Sequence, residues 1–246
     1  MTEHFRSGCL ICGEELVYSQ KNELAYCYYC GTKQETNTHC INGHYVCDRC
    51  HSLQANDLIE QFCTTTSISN PIELANILMR NPAINMHGPE HHFLVPAVLL
   101  TAFYNLENAK DRGGIQVNLE DKAARIQLAR KRAEVVPGGF CGYYGACGAG
   151  IGSGIFLSVL TGATPLSGME WALSNRITAE CLMEIANHGG PRCCKRDTYL
   201  ALLTAGAFIK KNFAINFHLA EEIRCGFFEL NKECLKTDCP FYVGSS

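Results

Sequence analysis

The chain has 246 residues, 47% of them hydrophobic and 18% charged, which is enough to bury a sizeable core. A formal net charge of −3 gives no global pull toward nucleic acid or an anionic membrane. Sixteen cysteines behind an opening (MTEHFRSG) with no basic, apolar leader set the expectation of a cytoplasmic chain. Its thiols then serve as ligands or redox groups rather than disulfides, in a strongly reducing or anaerobic cell.

Residues 1–51 are rich in Cys, His, Tyr and Asn and poor in large aliphatic side chains, so they cannot build a core unaided. They read as a small β module held by metal. Cys9 and Cys12, and Cys27 and Cys30, are two pairs each separated by two residues, the spacing of a zinc ribbon. Cys40, His44, Cys47 and Cys50 follow as a second set of four ligands. The simplest pairing closes each set on its own ion; a cross-braced pairing, as in the RING domains that this spacing resembles, is the alternative. His51 is a spare ligand or lies behind the first shell. Two zinc ions are expected because a His joins the thiolates, with a rubredoxin-like iron in the first tetrad as the other reading.

Residues 52–70 read as a linker with one short helix and a Thr/Ser-rich stretch, and residues 71–246 as a helical domain. Asn70-Pro71 is a helix start, with Asn as N-cap and Pro in the first position. Helical patterns run over about 71–80, 92–109, 117–134, 149–162, 166–187, 197–213 and 217–230. Arg130, Lys131 and Arg132 read as the solvated side of a helix. Residues 93–103 form the longest apolar run, too short to span a bilayer. Residues 135–169 contain no Asp, Glu, Lys or Arg and are rich in Gly, Ala and Cys. They predict a buried central helix whose small residues permit close backbone approach. The fold class is therefore mainly α, organised around that helix, with a zinc-ribbon-like β module in front.

Three clusters in the helical domain carry chemistry. His87, Glu90, His91 and His92 stand at the mouth of a helix and could bind a metal or an anionic substrate; a polar cap with solvent-facing imidazoles is the plainer reading. Cys141 and Cys147 lie among glycines that let a bulky group approach the backbone. Gly148, Gly150, Gly152 and Gly154 lack the preceding strand and the spacing of a dinucleotide loop, so close helix packing explains them better. Cys193 and Cys194 precede a helix among Arg192, Lys195 and Arg196, where depressed thiol pKa values are expected; a pair of buried thiols is the alternative. Cys225, Cys234 and Cys239-Pro240 close the chain, either clasping the tail or binding a third metal, and Cys63 and Cys181 look like core residues.

In order and texture these phrases resemble the iron–sulfur L-serine dehydratases and L-cysteine desulfidases over roughly residues 86–210. The resemblance rests on His87-Gly88-Pro89-Glu90-His91-His92, on the Gly/Ala-rich stretch from Cys141 to Gly154, on Gly162-Ala163-Thr164-Pro165, and on the helix that leads through Asn187-His188 to Cys193-Cys194. The chain as a whole also resembles an uncharacterised cysteine-rich family of anaerobes. Kinship with the dehydratases implies a cluster of four irons held by three cysteines: Cys141, Cys147 and one of Cys193 and Cys194. It also implies that His91 or His92 binds a substrate carboxylate or moves a proton, and that Arg192 and Lys195 neutralise negative charge. The expected function is an iron–sulfur enzyme, a lyase or desulfidase acting on a small polar or sulfur-containing substrate. The competing expectation is a redox or metal/sulfur carrier that docks to a protein partner through its zinc module, with Cys193 and Cys194 exposed. Neither reading involves a membrane, nucleic acid is disfavoured by the charge, and the composition leaves room for a homo-oligomer.

Overall fold

A computed structural model describes residues 9–47, 50, 54–106, 111–112, 115–116, 121–219 and 222–244. His51 and residues 107–110, 117–120 and 220–221, on which some of the expectations above fall, lie outside the described residues.

Strands β1 (Leu16–Tyr26) and β2 (Lys33–Cys40) form an antiparallel hairpin, with Leu16 opposite Cys40 and Tyr26 opposite Lys33. The cysteine pairs flank it in tight turns. Gly13 and Gly31 follow Cys12 and Cys30 with φ of 85° and 67°, and each donates its amide to the first cysteine's carbonyl at 2.8 Å. Only glycine enters that left-handed region without strain.

The short helix expected within residues 52–70 is α1 (Ala55–Thr65). Its Phe62 receives the rings of Tyr28 and Tyr29, at centroid distances of 6.1 and 5.5 Å, and its Thr65 hydroxyl donates to the Tyr29 carbonyl at 2.9 Å. Helix α2 (Pro71–Arg80) starts as expected: the Asn70 side chain accepts from the amides of Ile72 and Glu73. From its end, Arg80 Nη1 donates to the Ile11 carbonyl at 2.8 Å, fastening the module from a second side.

The body contains α3 (Glu90–Asn105), α4 (Lys122–Ala133), the single turn α5 (Phe140–Tyr143), α6 (Gly148–Thr161), α7 (Met169–Asn187) and α8 (Cys194–Phe213). A two-stranded ladder, β3 (Asp111–Arg112) with β4 (Ile115–Gln116), lies between α3 and α4. Helix α6 is the uncharged central element the sequence predicts, packed against α3, α4, α7 and α8. Helix α3 is its partner in the centre, buried from Glu90 to Tyr104. Pro96 has no N–H to give the His92 carbonyl four residues earlier. Gly152 brings the α6 backbone onto that spot, where an added Cβ would meet Pro96 Cδ at 2.9 Å and the His92 oxygen at 3.0 Å. Gly162, at φ 70°, ends α6. The glycine series is thus a packing surface inside a helix. Among the described residues, no helix is long and apolar enough to cross a membrane.

Several expectations fail, each for a local reason. Helix α7 begins at Met169 rather than 166 because Thr164 and Ser167 close a side-chain turn, the Thr164 amide donating to Ser167 Oγ at 3.0 Å. Helix α8 begins at Cys194 rather than 197 because the Cys193 side chain caps it. The predicted 217–230 helix is absent among its described residues; only a 3-10 turn at Phe228–Leu230 forms, with another at Lys236–Asp238. Arg130 is not simply solvated: it pairs with Asp57, Glu60 and Glu134 at 2.7–2.8 Å and ties α4 to α1. Arg132 donates to Ser158 Oγ at 2.7 Å, and of the three only Lys131 is exposed.

Candidate metal centres and a thiol-lined pocket

The eight ligand-type residues of the module gather into two groups, Cys9, Cys12, Cys40 and His44, and Cys27, Cys30, Cys47 and Cys50. Within each group the ligand atoms all lie within 4.8 Å of one another. The first and third pairs therefore share one site and the second and fourth the other: the cross-braced order replaces the simpler sequential pairing. The hairpin explains it. Pairing Leu16 with Cys40 places the chain after β2 beside the turn before β1, and the Tyr45 bridge to Cys27 brings Cys47 to the second turn. Contacts are close, with Cys12 Sγ 3.4 Å from Cys40 Sγ, Cys30 Sγ 3.8 Å from Cys47 Sγ, and Cys9 Sγ 3.7 Å from His44 Nδ1. Amides of Ile11, Asn42 and Cys47 donate to the sulfurs of Cys9, Cys40 and Cys27 at 3.3–3.4 Å, which suits thiolates on a cation. One group offers three thiolates and an imidazole and the other offers thiolates alone, donor sets that both fit zinc.

In the helical body the three sequence clusters meet at one cavity of about 530 Å³. Its walls include His87, His91, His92, Cys141, Cys147, Arg192, Cys194 and Asp197. The first turns of three long helices supply most of these groups: His91 and His92 from α3, Cys147 capping α6, and Cys194 opening α8. Helix N-termini carry partial positive charge, so the cavity favours an anionic occupant. Cys141, Cys147 and Cys194 are half-buried, and the cavity opens beside exposed Tyr143 and Arg192. A neighbouring cavity of about 500 Å³ shares Cys141, Cys147, Arg192 and Asp197, so two of the three thiols stand on the wall between two spaces.

Burial raises the Cys147 thiol to about 12, with Asp197 and the other two pocket thiols adding to the effect. Cys194 is raised too, by burial first, against the opposing Gly88 amide and Arg192. Cys193 rises to about 11 for the same leading reason. The depressed pKa expected of the Cys193–Cys194 pair is thus corrected. Desolvation outweighs the helix end, and two of the three neighbouring cations face other groups: Arg196 donates to Asp197 at 3.0 Å, and Lys195 donates to the carbonyls of Met79 and Ile84 at 2.7 and 3.0 Å.

A family of unknown function, DUF5714, matches residues 59–242. The chain belongs to that family. No curated protein and no solved structure matches it. The DUF5714 span takes in the whole thiol-lined pocket and the tail cysteines, and leaves both metal groups of the module outside.

Within that span the candidate residues separate by what they touch. His91 is 1% exposed and both its nitrogens are engaged: Nε2–H donates to the Asn85 carbonyl at 3.1 Å and Nδ1 accepts from Thr198 at 3.0 Å. Burial, with the Lys195 charge adding, pushes its pKa down to about 3. His91 is a neutral anchor. His92 Nδ1–H donates to the Val136 carbonyl at 3.1 Å, which leaves the Nε2 lone pair as the unassigned one, at the edge that meets Gly148. His87 Nε2 lies 3.3 Å from Asn231 Oδ1, while its buried Nδ1 has no hydrogen-bond partner. Glu90 holds the Asn85 amide at 2.7 Å. None of these imidazoles is a solvent-facing cap. Lys195 does not line the pocket. Asp197 and Tyr143 do, and residue-type reasoning passed over them; the one signal was an Asp in the first turn after the cysteine pair.

Proposed function

We propose that the DUF5714 portion of this chain is an iron–sulfur enzyme acting on a small polar or sulfur-containing substrate by elimination or sulfur removal. The observation that carries the reading is the meeting of Cys141, Cys147 and Cys194 at one cavity that also holds His92 and Arg192. The residues fit a cluster held by three thiolates. Three thiols come from three separate segments, and glycine walls leave room. When bound, such a cluster with an open iron supplies a Lewis acid for a substrate hydroxyl or thiol. The chain's own groups do the rest. Arg192 and the helix ends attract a carboxylate. The Val136 carbonyl fixes the His92 tautomer, so Nε2 is the base that takes the substrate's α-proton. Two zinc ions in the module give it a structural role. A carrier with an exposed thiol pair is less well supported, since Cys193 and Cys194 are half-buried.

Anaerobic purification followed by metal analysis tests this. Two zinc ions and an iron–sulfur chromophore that Cys141→Ser and Cys147→Ser each weaken, with turnover of cysteine or serine that His92→Gln abolishes, are the expected results. A protein that holds zinc alone after reconstitution with iron and sulfide would overturn it.

A further inference from the structure

Cys193 faces away from the pocket. It lines a small cavity with Cys225, Cys234 and Cys239, all four half-buried. The remaining walls are largely apolar, among them Tyr199, Phe227 and Phe241. Arg196 lines the cavity as well, is 3% exposed, and has a buried Nη1 with no hydrogen-bond partner. Three amides donate to the sulfurs: Arg196 to Cys193 at 3.5 Å, Phe227 to Cys225 at 3.4 Å and Lys236 to Cys234 at 3.4 Å. The last two repeat, two residues on from the cysteine, the amide-to-sulfur turn seen at Cys9 and Cys40 in the module.

We infer that Cys193, Cys225, Cys234 and Cys239 form a closed four-cysteine site for a [4Fe–4S] cluster, separate from the pocket thiols. Four thiols lining one cavity with largely apolar walls, beside a buried cation with an unused donor, suit a centre of net negative charge. The spacing favours a cluster over a single ion. Sulfurs on one tetrahedral zinc stand about 3.8 Å apart, given Zn–S bonds of about 2.3 Å. Both module groups meet such a spacing, whereas no three of these four sulfurs all lie within 4.8 Å of one another. The chain continues Cys239-Pro240, a sequence common at iron–sulfur ligands. The tail gains a reason to be ordered: residues 222–244 contain no α-helix, and the Cys225 amide reaches back to the Phe241 carbonyl at 2.7 Å to close the loop.

The test uses the full chain, reconstituted anaerobically with iron and sulfide under excess thiol. A Cys141→Ser/Cys147→Ser/Cys194→Ser variant lacks the pocket ligands and is expected to keep about four irons per chain and a spin-half signal on reduction. Adding Cys225→Ser and Cys234→Ser should remove that iron and leave the module's zinc. A folded pocket variant that binds no iron, or that takes a third zinc in its place, overturns the inference. Should the pocket variant not fold, Cys225→Ser/Cys234→Ser alone decides. Loss of about four irons relative to the parent supports the site, and an unchanged iron content overturns it. The pocket reading fails separately, when this last variant holds no iron while the pocket variant does.

Discussion

Cys193 and Cys194 are neighbours in the chain that serve two cavities, and the backbone explains how. Cys193 is the extended N-cap of α8, with φ −137° and ψ 100°, whereas Cys194 is its first helical residue. The change of conformation between them sends one thiol to the tail and the other to the pocket. Residue types alone revealed the pair but not this division, which depends on where the helix begins. The same first turn holds Asp197, whose carboxyl burial raises against the opposing Arg196 charge. His91 carries a prediction at this scale. Its folded pKa of about 3 lies below the unfolded value of about 6.5. Below about pH 6.5 the unfolded chain takes up a proton that the folded chain refuses. Stability is therefore fully present above that pH and is lost as pH falls toward about 3, by roughly 1.4 kcal/mol per unit. Gln can replace both hydrogen bonds of His91 without titrating. Urea denaturation of His91→Gln should show a shallower loss between about pH 6.5 and 5 than the parent, with all thiols common to both. Parallel slopes would show that His91 is not buried neutral.

The contact between α3 and α6 brings His92 and Cys147 to one cavity, and it depends on a glycine. Elsewhere in a helix, Gly→Ala stabilises by about 1 kcal/mol. At Gly152 the new Cβ would press on Pro96 and on backbone at His92, which cannot swing aside. Overpacking should then win, and Gly152→Ala is expected to cost about 1–3 kcal/mol in a urea melt. A gain in stability would mean that the helices are not in close contact there. Between α1 and α4, Arg130→Met removes three ion pairs from a side chain that is 26% exposed, and should cost about 1–2 kcal/mol, less at high salt. Helix positions were legible where apolar periodicity and caps agree, as at Asn70-Pro71, and where an uncharged run can only be buried, as in α6. They were not legible where side chains compete with the helix: Thr164 and Ser167 delay α7, and Cys193 advances α8. The tail misled for a related reason. Its apolar residues, spaced like a helix face, instead wall a cavity around Cys225, Cys234 and Cys239. Arg130 was misread because two of its acidic partners sit on another helix, far away in sequence.

At the scale of the molecule, a hairpin module carrying two ligand groups is set on a helical body. Tyr28, Tyr29 and Ile11 join the two through Phe62 and Arg80; Tyr29, Ile11 and Phe62 belong to one continuous core, with Tyr28 packed against it. The existence of both metal groups was legible from paired cysteines, but their pairing was not, because it follows from how β1 and β2 bring the turns together. Cross-bracing ties the module together: each ligand group joins a segment before the hairpin's return strand to one at or beyond its end, so an ion in either group would link both halves of the module. This yields a test in which the two pairings give opposite results. The parent should hold about two zinc ions in the module. In the arrangement described, Cys9→Ala with Cys40→Ala damages one site, and about one zinc should remain at micromolar free zinc. Cys9→Ala with Cys27→Ala strikes both sites, and both ions should be lost. Sequential pairing predicts the reverse, with Cys9 and Cys27 sharing one ion. Zinc released to a chromophoric chelator from each double variant, with far-UV circular dichroism confirming that the helical body persists, decides between them. Persistence is expected, because α3, α6 and α8 bury their own apolar faces whether or not the module is loaded.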